Sequence, residues 1–166
     1  MRVGQLREYL KSGFYNNYKN IIPPNIIPDL EVWTLGSGGF NSVQIANNIQ
    51  SNYCLSLFHD GFDSKKIEKI VTFKDIFLQK HGFLPTINIC CSVLYAKNKT
   101  KTKELKTMCI GKHMSINVAG NIDEIKEQLL NYGDIFNTKE LIIVDICNDS
   151  DAKTDLIKIL AEEFNF

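Results

Sequence analysis

Trp33-Thr34-Leu35-Gly36-Ser37-Gly38-Gly39 is the stretch on which the reading of this chain turns. Its first half belongs to Glu31–Leu35 (Glu-Val-Trp-Thr-Leu), short, largely apolar and suited to a pleated strand. The glycines end that strand. Beyond them Val43, Ala46 and Ile49 recur at the spacing of one helix face. The unit is therefore strand, glycine turn, helix. Glycines let backbone N–H groups approach an anion closely, the helix N-terminus adds partial positive charge, and Ser37 offers a hydroxyl. The turn lacks the Lys-Ser/Thr pair of a P-loop and does not fit the dinucleotide fingerprint. Taken alone, such a turn is more often structural than ligand-binding.

Downstream the same alternation repeats. Tyr53 to Phe58 is apolar and strand-length, and residues 63–80 place Ile67, Ile70, Val71, Phe77 and Leu78 at helical spacing. Gly82 and Pro85 end that helix. Thr86 to Tyr95 is a long strand rich in Ile, Cys and Val, and residues 99–117 read as helix and irregular chain. Asn121 with Glu124 forms the pattern of a capping box opening a helix through Ile122, Ile125 and Leu129. Glu140 to Ile146 reads as the clearest buried strand, and residues 151–164 as a closing helix with Leu156, Ile157, Leu160 and Phe164. Upstream, residues 1–19 read as a short helix with Leu6, Tyr9 and Leu10 on one side. Pro23, Pro24 and Pro28 turn the chain from there to residue 30 into an extended connector, because proline fits neither a helix interior nor a central strand. Apolar strands separated by amphipathic helices predict an α/β domain over 1–166, with four parallel strands and flanking helices.

Composition narrows the function. Lys plus Arg and Asp plus Glu are 19 each, so a broad electrostatic footprint for nucleic acid or an anionic membrane is not expected. The basic run Lys97 to Lys103 reads as a solvated loop or helix edge. No apolar stretch reaches the roughly 18 residues of a membrane span. The cysteines, Cys54, Cys90, Cys91, Cys109 and Cys147, form no CxxC pair, and the odd count without a signal-peptide pattern predicts a reducing, cytoplasmic setting. Cys54, Cys90 and Cys91 sit in strand-like runs as small buried hydrophobes. His59 and Asp60 follow a strand, where a lone His is usually a loop residue. His81 and His113 have no partner at ligand spacing, so no metal site is predicted. No Ser/His/Asp order suggests a hydrolase.

The order of these elements resembles a known family. Val32 to Gly39 with Ser42-Val43-Gln44-Ile45-Ala46 is similar to the W-x-L-G-S-S/G segment and following S-A-x-L-A helix of bacterial-luciferase-like flavin monooxygenases. Val118 to Ile125 resembles that family's V-x-G-T-P-E-E-V helix start, Thr138 to Val144 its D-E-L-M-V-V final strand, and Ala161 to Phe164 the end of its last helix. The likeness runs from about residue 5 to the C-terminus. Asn41 looks like an insertion, Asn121-Ile122 replaces Thr-Pro, and Leu57-Phe58 stands where members often carry His-His.

The resemblance implies a partial (β/α)₈ TIM barrel, its C-terminal half, since a full barrel has eight strands and about 250 residues. It implies an oxidoreductase that uses reduced FMN and O₂ on a small organic substrate, with the lone chain incomplete for that chemistry. Ser37, Gly38 and Gly39, followed by Asn41 and Ser42, are the cofactor-binding positions it implies, at the phosphate. It assigns no catalytic side chain, since the flavin would carry the oxygen chemistry. The missing half implies a partner, either a second copy in a homodimer or a complementary N-terminal half. The alternative is a non-catalytic, truncated half-barrel that binds flavin or serves assembly.

Overall fold

The architecture follows from where each strand can find neighbours. In a computed structural model, the described residues are 31–109, 114–146 and 150–164, with the backbone of 14–15 and 18–19. The proline connector and residues 1–13 of the helix expected over 1–19 lie outside them, as do His113 and Cys147.

The central strands are β4 (Asn52–Ser56) and β5 (Ile87–Tyr95). To one side of β4 lies β3 (Trp33–Gly36), parallel to it with Trp33 opposite Asn52 and Gly36 opposite Leu55. β4 runs parallel to β5, Tyr53 opposite Ile87 and Ser56 opposite Cys90. β7 (Leu141–Asp145) also pairs parallel with β5, Ile89 opposite Leu141 and Val93 opposite Asp145. A short strand that the sequence pattern does not isolate, β6 (Val118–Gly120), pairs with Val93–Tyr95.

Hydrogen bonds place β6. Backbone groups of alternate residues on an extended strand address opposite edges. Cys90 O accepts from Leu57 N, and Ala96 N donates to Gly120 O, so β4 and β6 share one edge of β5 in tandem. Ile146 N donates to Val93 O and Ile89 N to Glu140 O, so β7 holds the other edge. The main path is therefore β3-β4-β5-β7, the four strands expected, all parallel.

Helices follow each strand: α1 (Phe40–Ile49), α2 (Lys65–His81), α3 (Lys99–Met108), α4 (Ile122–Phe136) and α5 (Ser150–Glu163). One buried cluster joins Tyr53, Leu55, Leu57, Ile87 and Ile89 to Ala46 of α1, Ile70, Phe73 and Phe77 of α2, and Phe136 of α4. A second joins Cys91, Val93 and Val118 to Ile125, Leu129, Leu156 and Leu160. On α2 the buried stripe is Lys66, Ile70, Phe73 and Phe77. Val71 and Leu78, expected on that face, fall one position off the stripe and stay exposed, as Ile157 does on α5. Gly82 ends α2 in the left-handed conformation, its N–H donating to Leu78 O.

Two expectations are corrected. The helix expected over residues 1–19 is not what residues 14–15 and 18–19 form. There β1 (Phe14–Tyr15) pairs antiparallel with β2 (Tyr18–Lys19). Phe14, Tyr15 and Tyr18 are of the types that favour strands. Likewise β7 is not the best-buried strand: Ile142 is 44% and Ile143 37% exposed. An apolar run marks a parallel strand covered on all sides, but no described element pairs with the outer edge of β7.

The capping box is present as read. Asn121 Oδ1 accepts from Glu124 N, and Glu124 Oε2 accepts from Asn121 N, each at 3.0 Å. Asn121→Ala is expected to destabilise the fold by about 1 kcal/mol, read as a lowered urea midpoint at unchanged slope. Among the described residues no helix is long and apolar enough to cross a membrane.

Candidate functional site

All four main strands point the same way, so their C-terminal ends lie at one end of the sheet. The Gly36–Gly39 turn sits there, after β3, and is braced from the neighbouring strand. Tyr53 of β4 is fully buried, and its hydroxyl accepts from Gly38 N at 3.0 Å. The same hydroxyl lies 2.8 Å from Ser42 Oγ, which donates onward to Gly39 O at 2.9 Å. The run of donors is consistent: Gly38 N–H to Tyr53, Tyr53 O–H to Ser42, Ser42 O–H to Gly39. Burial pushes the Tyr53 phenol up from its ordinary pKa, against its hydrogen bonds with Ser42 and Gly38, which keeps it neutral and able to donate. Gly38 has φ +83, the left-handed region where glycine carries no steric penalty.

The five positions implied for the phosphate therefore divide. The backbone N–H of Gly38 and the hydroxyl of Ser42 are engaged within the turn. Gly39 and Asn41 are exposed, Ser37 is half-buried, and a Cβ built on Gly39 would meet nothing within 4 Å. Gly39 is the N-cap of α1, makes no side-chain cap, and no acidic residue follows in the first turn. Among the described residues, the N–H groups of Phe40, Asn41 and Ser42 bond to nothing, as expected of an uncapped helix start. By contrast, the N-terminus of α4 is occupied by its own capping box, with Asp123 and Glu124 in its first turn.

Two lysines that the sequence pattern does not single out flank the turn. A Cβ on Gly38 would lie 3.8 Å from Lys69 Cδ and 4.0 Å from Lys66 Cγ. The Lys66 side chain is almost wholly buried and pairs with Asp60 at 2.5 Å. Tyr53 and Lys66 were legible only as a strand residue and a helix charge; their role lies in a contact between separate βα units.

Other candidates do not converge on the turn. His59 is exposed, its ring 4.1 Å from that of Phe58. His81 Nε2 lies 2.7 Å from Asn47 O, tying α2 to α1. Leu57 is fully buried, so the first position of the His-His pair is apolar here. Where β4 gives way to β6 along the edge of β5, Asn117 Oδ1 accepts from Ser92 N at 2.9 Å and its Nδ2 donates to Leu57 O at 3.0 Å. At the same end of the sheet, a concavity of about 730 Å³ lies between α3 and α5, with Leu94, Met108 and Ile146 among its apolar walls and Lys97 and Asp155 among its charged ones. Among the described residues no group of three His, Cys, Asp or Glu could hold a metal ion.

No protein-family model and no curated protein matches the chain. Solved structures do. Apo-MsnO8 superposes with a TM-score of 0.68 at 18% identity, over 97% of this chain and 58% of its own length. The fold is a partial (β/α)₈ barrel. The monooxygenase RslO1 from Streptomyces bottropensis gives a TM-score of 0.62 at 12% identity, over 81% of this chain and 47% of its own. At these identities the likeness is one of fold. The chain spans about half the length of either structure.

Proposed function

We propose that this chain is the cofactor-holding half of a flavin-dependent monooxygenase-type oxidoreductase, taking FMN by its phosphate at the Ser37 turn. The observation that carries the reading is the uncapped N-terminus of α1, standing open at the C-terminal end of β3 and braced by Tyr53. (β/α)₈ enzymes place their chemistry at that end of the sheet. A phosphate monoester fits what is present: open space over Gly39, N–H groups at Phe40, Asn41 and Ser42 without protein partners among the described residues, and no carboxylate in the first turn. Ser37 and Asn41 supply further contacts, while Gly38 and Ser42 hold the turn in shape. Lys69 runs beside the turn, and the charge of Lys66 there is already matched by Asp60. Bound there, reduced FMN would supply electrons for O₂ to oxidise a small organic substrate. The chain's part is to fix the phosphate and exclude water at its buried strands. RslO1 being a monooxygenase supports the same class.

FMN is expected to bind at least about tenfold more tightly than riboflavin, since charge-assisted hydrogen bonds to phosphate contribute roughly 1.5–3 kcal/mol each. Titration by flavin fluorescence measures this, and equal affinities would remove the phosphate role. Gly39→Asp offers a clean control. Its side chain enters open space and suits an N-cap, so the fold holds, yet its charge should abolish the preference for FMN.

A further inference from the structure

We infer that the free edges of β3 and β7 form one self-complementary interface, closed by a second copy of this chain into an eight-stranded barrel. No described residue pairs with the outer edge of either strand. Natural sheets blunt such edges with charges, proline or bulges. Here β3 is Trp-Thr-Leu-Gly and β7 is Leu-Ile-Ile-Val-Asp, so the only charge is Asp145 at the far end. β4, apart from Asn52, and β5 throughout are buried, whereas Leu35 on β3 is 55% exposed and β7 exposes Ile142 and Ile143. Within the sheet, the uncovered large apolar side chains thus lie on the two edge strands, where another sheet would add.

Geometry selects the occupant. The main path has four strands, half of the eight in a closed barrel. The matched part of this chain covers 58% and 47% of the two solved structures it resembles. A twofold axis along the barrel axis keeps every strand parallel and sets β7 of each copy beside β3 of the other. Both edges are then satisfied by a single partner, in the closed symmetry soluble oligomers favour. The edges differ in length by one residue, four against five. The balance of 19 basic and 19 acidic residues leaves no net repulsion between copies. In this closure the Ser37 turn of each chain lies next to the C-terminal end of the second copy's β7, so the site is completed across the seam.

The inference does not depend on flavin and is tested without it, by light scattering on the size-fractionated 166-residue chain. The expected species has twice the 18.9 kDa of one chain. Leu35→Glu and Ile142→Lys alter exposed side chains, so each should keep its far-UV circular dichroism while shifting to the single-chain mass. Mixing these two variants should restore the doubled mass, because one seam then pairs opposite charges and the other is unaltered. A wild-type monomer, a polydisperse ladder, a dimer that survives both substitutions, or a mixture that stays monomeric would each overturn the inference.

Discussion

Raising the pH from about 8 to about 10.5 is expected to remove roughly 4 kcal/mol of folding stability, a large part of the 5–15 kcal/mol typical of a domain. The cause is thiols held in the dry sheet. Burial, reinforced by the neighbouring Cys90, pushes Cys54 up from 9.0 to about 12, and burial with the charge of Cys90 does the same to Cys91. Cys90 and Tyr53 are raised as well, chiefly by burial. An unfolded chain releases its thiol protons near 9, whereas the folded chain retains them until about 12. Deprotonation between those limits therefore favours the unfolded state. The stability is complete below the lower value and declines as pH climbs toward the upper one. Each such thiol contributes about 1.4 kcal/mol per pH unit across that window. Urea midpoints taken under reductant should drop steeply above about pH 9. In a Cys54→Ala, Cys91→Ala chain the slope should flatten. An unchanged slope in that variant would show that other groups govern the alkaline limit.

Gly36→Ala is expected to cost about 3 kcal/mol or more, the largest effect of a single methyl group near the site. The added carbon would lie 2.4 Å from both Cβ and Oγ of Ser42 and 2.6 Å from the Tyr53 hydroxyl. These atoms are short, and they are bonded to one another, so none can retreat alone. Displacing them breaks the relay through Tyr53 and leaves the Gly38 N–H buried without its acceptor. Overpacking contributes about 1–3 kcal/mol and the stranded donor a similar amount. Gly39→Asp, three residues on, faces open space and should leave stability nearly unchanged or slightly improved. Denaturant titrations of the two variants measure the contrast, and near-equal midpoints would mean that the turn is not braced as described.

The four main strands were legible because a parallel strand buried on both faces needs an unbroken apolar run, and Tyr53–Phe58 and Thr86–Tyr95 provide one. Helix ends were legible where local chemistry sets them, at Asn121 with Glu124 and at Gly82. What could not be read were relations between units. Val118–Gly120 is too short for a periodic signal, and its pairing depends on the second half of β5 having an edge left over. The exposure of Ile142 depends on which strand is missing beside it, a fact that no local pattern carries. At the turn, the glycines announced a close approach of backbone, and at Gly38 the approaching group is the Tyr53 hydroxyl, which no local pattern names. The lysines of α2 reach the turn only once two βα units have packed.

Because the brace comes from the adjacent strand, heredity acts on two separate stretches of chain at once. Residues 36, 38, 42 and 53 constrain one another and should change together or not at all, whereas 39 and 41 are at liberty to drift with whatever they meet. Distant cousins of this domain would then be recognised by a tyrosine seated a helix and a half-strand beyond the glycines, even where the spelling of the loop itself has eroded.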